Sequence, residues 1–135
     1  MTGKCFADTN VVLYIIGSDP DKTSIARDIL STHPVISTQV VNEAVNVCTR
    51  KLDFTREKAY AFADKVMCLT EVLPVDEITV RKSAEIAIRY QLSNWDALIV
   101  AAALLSGCVT LYTEDMQHGQ IFEDQLKVIN PFIFE

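Results

Sequence analysis

The sequence predicts an α/β fold: a central, mainly parallel sheet with helices on both faces. Three observations carry that expectation. Short apolar runs alternate with longer segments of helical period, the pattern of βαβ units. The short runs are apolar almost throughout, as strands covered on both faces are. Half of the 135 residues are hydrophobic, enough for a core without disulfide or metal staples.

In chain order, Lys4 to Ala7 read as the first strand. Val11 to Ile16 follow, and for six apolar residues periodicity leaves helix and second strand equally open. Ile25, Ala26, Ile29 and Leu30 are spaced as a helix, and Val35-Ile36 is the next strand. Val41, Ala44, Val45 and Cys48, then Ala59, Phe62, Ala63 and Val66, fall at i, i+3, i+4, i+7 of two amphipathic helices. Val72-Leu73 is a third strand. Val80, Ala84, Ala87 and Ile88 form the apolar face of a helix capped by Asp76 after Pro74. Trp95, Leu98, Ile99 and Ala102 repeat the spacing up to Gly107, a helix-ending residue. Val109 to Tyr112 and Lys127 to Ile129, closed by Pro131, complete the sheet, with right-handed crossovers throughout.

No repeat, low-complexity tract or linker divides the chain, so residues 1–135 are expected to form one domain. Cys5, Cys48, Cys68 and Cys108 include no C-x-x-C pair and read as reduced thiols in apolar surroundings, against a zinc or redox site. There is no signal-peptide pattern. The longest apolar stretch, Ala97 to Leu105, falls well short of the roughly 20 residues of a membrane span. A soluble, cytoplasmic protein is the expectation. Twelve Lys and Arg against eighteen Asp and Glu give a net charge of −6, which on average disfavours a polyanionic partner. Clustered carboxylates that hold cations would reverse that sign locally.

Ligands of a parallel sheet bind beyond the carboxyl ends of its strands. Asp8 ends the first strand, and Asp115 lies just past the strand that finishes at Thr113. Glu43 sits early on the helix after Val35-Ile36, and Asp96 opens the helix before Val109. Four carboxylates gathered at one edge repel unless a divalent cation joins them, and all-oxygen ligation favours Mg²⁺ or Mn²⁺. Such a site suits phosphodiester hydrolysis, because the metal activates water and clamps phosphoryl oxygens. Each residue also has a plainer role: a cap or turn for Asp8 and Asn10, a capping box with Ser93 for Asp96, a solvated face for Glu43, a turn for Asp115. It is their joint placement that favours the functional role. Glu43, Asn46 and Arg50 share one helical stripe, which makes Arg50 a candidate contact for a substrate phosphate held at Glu43. His118 reads first as a surface residue, ahead of a general base or metal ligand. Tyr90, Tyr112 and Phe122 read as core residues, not stacking platforms.

FADTN, STQVVNEAVNV, SNWDALIVAAA and LYTEDMQHGQ together resemble the PIN-domain ribonucleases, most closely the VapC toxins of bacterial toxin–antitoxin pairs. The resemblance spans nearly the whole chain. It implies a five-stranded parallel sheet flanked by helices, and a Mg²⁺- or Mn²⁺-dependent endonuclease that cuts single-stranded RNA or exposed loops of structured RNA. It also implies that Asp8, Glu43, Asp96 and Asp115 are the metal-binding catalytic residues, supported by hydrogen bonds from Asn10 and Thr113. Asn10 would begin the helix Val11 to Ile16. A homodimer is implied, with a cognate antitoxin that blocks the acidic groove. A haloacid-dehalogenase-like phosphatase would need a second aspartate where Asn10 stands, and a receiver domain would need an acidic pair beside Asp8. The alternatives are a non-catalytic binding module on the same fold and a housekeeping RNA-processing nuclease.

Overall fold

The computed structural model describes residues 3–133. Its sheet contains β1 (Cys5–Ala7), β2 (Val35–Ser37), β3 (Glu71–Leu73), β4 (Thr110–Tyr112), β5 (Ile121–Phe122) and β6 (Leu126–Ile129), in the order β3-β2-β1-β4-β6-β5. All pairings are parallel except β5 with β6. The five parallel strands are those the sequence marks. The sixth is a two-residue edge strand, too short to carry a periodic signal.

β1 and β2 are covered on both faces, whereas Lys127 leaves one face of β6 open. Phe6, Ile36, Leu111 and Val128 are fully buried, and Phe6 is in register with both Val35 and Leu111. From β1 the chain moves outward to β2 and β3, then returns to place β4 on the opposite side of β1. The direction of winding therefore reverses between β1 and β4, and a crevice opens at their carboxyl ends.

The helices are α1 (Thr9–Leu13), which runs into a 3₁₀ turn at Tyr14–Ile16, then α2 (Pro20–Ser31), α3 (Thr38–Arg50), α4 (Arg56–Leu69), α5 (Glu77–Tyr90) and α6 (Asn94–Leu105). Their starts are chemically marked. Ser37, Thr55, Asp76 and Ser93 accept the backbone N–H of the residue three positions on, and Asp19 caps α2 ahead of Pro20. At the end of α6, Gly107 turns at φ 79 while the Cys108 and Gly107 N–H groups bond the Ala103 and Leu104 carbonyls. This six-to-one, five-to-two pattern ends the helix where glycine alone adopts the left-handed turn without strain.

Several expectations need correction. The segment after β1 is helical and begins at Thr9 with Asp8 as its cap, one residue before Asn10. Val80, Ala84 and Ile88 do not face the core: Val80 and Ile88 are 53% and 75% exposed. The face of α5 that is buried carries Thr79, Ser83 and Ile86. It tolerates burial because the Ser83 hydroxyl bonds the Val80 carbonyl and the Thr79 hydroxyl bonds Asp76, so neither is left without a partner. Trp95 is likewise exposed, and Cys68, unlike buried Cys48 and Cys108, lies at the surface. Tyr90 and Phe122 do pack edge to face, at 4.8 Å between ring centroids.

The exposure difference along α5 is directly testable. Ile88→Ser should change the unfolding free energy by no more than about 0.5 kcal/mol, as surface substitutions do. Ile86→Ala, two residues earlier, should cost about 2–5 kcal/mol in urea unfolding. Equal losses at the two positions would contradict the orientation of α5.

Candidate active site

The crevice between β1 and β4 is lined with carboxylates from four elements. Asp8 follows β1, Glu43 lies in the second turn of α3, Asp96 lies in the first turn of α6, and Asp115 follows β4. The strand ends hold the first and last of these. The Asp8 N–H bonds the Tyr112 carbonyl, and the Thr113 N–H bonds the Ile129 carbonyl, so the chain leaves both strands in fixed directions.

Asp8 is the most constrained of the four, with 6% of its surface exposed. One oxygen accepts the Thr9 N–H at 2.7 Å and the other accepts the Thr113 hydroxyl at 2.9 Å. Asn10 is the hub of the site. Its Nδ2 donates to Asp115 at 2.9 Å and to the Thr113 hydroxyl oxygen at 3.1 Å, and lies 3.4 Å from Asp8. Its Oδ1 accepts the Glu114 N–H at 3.2 Å. The Thr113 hydroxyl oxygen also accepts the Asp115 N–H. Asn10 and Thr113 thus tie the two strand ends together.

Glu43 is held by the Thr9 hydroxyl at 2.9 Å and by Gln39 Nε2 at 2.7 Å. Asp96 is the third residue of α6, where its N–H bonds the Ser93 hydroxyl at 3.2 Å. The charges of Glu43 and Asp115 reach both Asp8 and Asp96, so the four carboxylates form one electrostatic cluster. Among the described residues no three acidic, His or Cys side chains are grouped tightly enough to enclose an ion already. The donor set is nevertheless all oxygen and anionic, and among the described residues no basic side chain offsets Asp8 or Asp96, which is the chemistry that fits a hard divalent cation.

Arg50 does not join the cluster. It lies two turns beyond Glu43 on α3, about 10 Å along the axis, beside a separate cavity lined by Thr49, Phe54, Arg56 and Tyr60. The His118 Nδ1 accepts the Asn130 N–H at 3.0 Å.

Four residues at or beside the site escaped the sequence reading. Thr9 and Gln39 fix Glu43; the four-residue spacing of Gln39 and Glu43 was the visible signal for one of them. Tyr14 and Lys22 fix Glu114, through a Tyr14 hydroxyl bond of 2.6 Å and a Lys22 ammonium at 3.6 Å. Those contacts join residues about a hundred positions apart and have no local signature.

The family model of the PIN domain matches residues 5–121, from β1 through the first residue of β5. The chain belongs to the PIN domain family. Solved structures of similar fold include a toxin–antitoxin complex from Klebsiella pneumoniae, with a TM-score of 0.72 and 17% identity over 97% of this chain and all of that one. VapBC2 from Rickettsia felis, bound to a DNA fragment from its promoter, gives 0.66 and 20% over 92% of this chain and 96% of its own. VapC20 from Mycobacterium tuberculosis, described as a sarcin–ricin loop cleaving toxin, gives 0.66 and 18% over 83% and 90%. The fold is thus that of VapC-type toxins. A comparison with curated protein sequences finds no significant match.

The electrostatics of this PIN site follow from its packing. Burial raises the Asp8 carboxyl from 3.8 to about 6; the bonds from Thr113 and Thr9 oppose the rise, and the charges of Glu43 and Asp115 add to it. Burial first, then Asp115 and Glu43, raise the Asp96 carboxyl, with the Ser93 hydroxyl opposing. Without a cation the site holds protons that the unfolded chain would release.

Native Asp8 stays protonated to about 6 while the unfolded carboxyl ionises at 3.8, so the native state binds more protons between those values. Its contribution is fully present below 3.8 and is lost as the pH rises through about 6. The amount is on the order of 3 kcal/mol. Asp8→Asn should flatten that decline in EDTA, at a cost of about 1–3 kcal/mol because its amide meets a donor where the carboxylate accepted one. Urea unfolding of both proteins across this range checks it, and an equal decline in the two would assign the effect to another group.

Proposed function

We propose that the chain is a divalent-metal-dependent endoribonuclease and the toxin of a toxin–antitoxin pair, with residues 1–135 acting as one nuclease domain. The observation that carries the proposal is the convergence of Asp8, Glu43, Asp96 and Asp115 from four separate elements on one crevice, with no basic side chain among the described residues to offset Asp8 or Asp96. A protein that only needed stability would not bury Asp8 among like charges. The PIN family membership, and the VapC20 toxin among its neighbours in fold, support the same reading.

On this reading Asp8, Glu43, Asp96 and Asp115 hold Mg²⁺ or Mn²⁺. When bound, the ion supplies Lewis acidity to the scissile phosphate and lowers the pKa of an attacking water. The chain's own residues do the positioning. Thr113 and the Thr9 N–H orient the two oxygens of Asp8, and Asn10 holds Asp115 against the same hydroxyl. Thr9 and Gln39 fix both oxygens of Glu43. Arg50, farther along α3, would meet a phosphate of the strand beyond the cleaved bond.

The partners follow in the same way: a single-stranded or looped RNA substrate, a cognate antitoxin, and a second copy of the chain in a homodimer, all in the cytoplasm. One face suits the antitoxin. Ile15, Ile16, Leu30 and Phe62 line an apolar groove of about 250 Å³ between the 3₁₀ turn, α2 and α4, with Arg27 and Lys65 at its rim. An amphipathic segment with apolar anchors and acidic flanks would match it.

Wild type and Asp96→Asn, prepared identically, should be incubated with total RNA in Mg²⁺, in Mn²⁺ and in EDTA. Discrete fragments are expected from wild type with metal and from neither protein in EDTA, with Asp96→Asn inactive throughout. Separately, Mn²⁺ at a hundredfold excess over its Kd should stabilise wild type by about 2.7 kcal/mol and the variant by much less. Metal binding without fragments would convert the reading to a non-catalytic module; no metal stabilisation would remove the metal centre itself.

A further inference from the structure

Trp95 is the chain's single tryptophan, and 61% of its surface is exposed. It sits in the first turn of α6, immediately before Asp96. With Gln39, Asn42, Glu43, Asn46 and Val75 it lines a depression of about 490 Å³. That volume falls within the roughly 300–1,000 Å³ of small-ligand sites. Glu43 belongs both to this depression and to the acidic cluster, so the two features share a wall.

The wall opposite Trp95 has a regular chemistry. Gln39, Asn42 and Asn46 fall at i, i+3 and i+7 of α3, which presents three carboxamides on one stripe. Asn42 and Asn46 are exposed. Gln39 uses its Nε2 on Glu43 and on the Trp95 carbonyl, at 2.7 and 3.4 Å, while its Oε1 is shielded from solvent and has no partner among the described residues. A carboxamide carries donors and an acceptor together, as the edge of a nucleobase does. An aromatic face beside such groups is the way proteins hold unpaired bases.

Resting on the nuclease reading above, we propose that this depression is a nucleobase subsite. Trp95 stacks on one base of a single-stranded RNA next to the phosphate at the acidic cluster, and the exposed carboxamides of Asn42 and Asn46 bond that base's edge. The arrangement answers a problem the chain's charge creates. At −6 the protein attracts polyanions poorly, and no Lys or Arg among the described residues lines the depression. Stacking supplies affinity without charge. It also selects single strands, because a base inside a duplex has no free face to offer.

The single tryptophan is its own reporter. A short randomised single-stranded RNA should quench wild-type fluorescence saturably in EDTA, whereas an abasic chain of the same length should not. With the RNA that wild type cleaves, Trp95→Ala should raise KM roughly five- to a hundredfold, the range of lost base stacking, with kcat within about twofold. Trp95→Phe should recover part of the loss, and Asn42→Ala should raise KM less. Unchanged KM in Trp95→Ala beside an active wild type would overturn the subsite and leave the nuclease standing. Wild type that cuts nothing would overturn the nuclease, and quenching by RNA over the abasic chain would still decide the subsite. Loss of a wild-type dimer in Trp95→Ala with KM unchanged would assign the indole to a protein interface and overturn the proposal.

Discussion

The structure around the crevice depends on keeping one carboxylate out of water. Asp8 stands at the end of the central strand, where the sheet's winding reverses, and it is almost completely enclosed. A carboxylate in such a place either binds a proton, gains a cation, or is compensated by hydrogen bonds. Here the Thr9 N–H and the Thr113 hydroxyl serve its two oxygens but do not overcome burial. The surrounding chain is organised by that imbalance. Asn10 spans from α1 to the end of β4, and Thr9 turns to Glu43 on α3, so the two residues that follow Asp8 each hold another acid in place.

This explains why the first helix is so short and closes at once into a 3₁₀ turn. Its five residues deliver Thr9 and Asn10 to opposite sides of the cluster, and Tyr14, in the following turn, reaches Glu114 beyond β4. Lys22 then lies against the Tyr14 and Phe132 rings and beside Glu114, which brings a cation close to the acidic edge without placing it inside. The nearby positive charge is spent on Glu114. The acids of the crevice are left uncompensated, which is the condition for binding a metal ion there.

The parallel strands and long helices were legible because each carries an intrinsic pattern: apolar runs for buried strands, a 3.6-residue period for helices, and caps such as Ser93 and Asp76 that chemistry marks locally. Asp8 and Asp115 could be placed at one sheet edge from the sequence because topology determines where strands end, whereas Glu43 and Asp96 lie on helices whose starts are marked by Ser37 and Ser93. What failed was the orientation of helix faces. Val80, Ala84 and Ile88 make a better apolar stripe than Thr79, Ser83 and Ile86, yet the second set is buried. Side-chain hydroxyls that bond within their own helix can be buried at little cost, and a hydropathy pattern does not register that. Trp95 misled for the same reason, since helical spacing predicts burial for an indole whatever lies opposite. Arg50 shows the complementary limit: a shared stripe is a statement about angle, and the axial distance from Glu43 still separates it from the cluster.

A capping role and the proposed metal-binding role of these acids need not compete. Asp8 caps α1 through one oxygen and faces Thr113 through the other, so the cap is what fixes the carboxylate at the strand end. Asp96 is the third residue of a helix capped by Ser93, and that bond sets where the first turn of α6 points its acid. Asp115 takes a turn bond to Thr113, and the same hydroxyl ties it to Asp8. A capping position offers a backbone whose direction is already determined, close to where strands end and helices begin. In an α/β sheet that is also where ligands collect. Residue types suited to capping, short acids and their amides, are the ones suited to holding a hard cation, and one position can meet both demands without compromise.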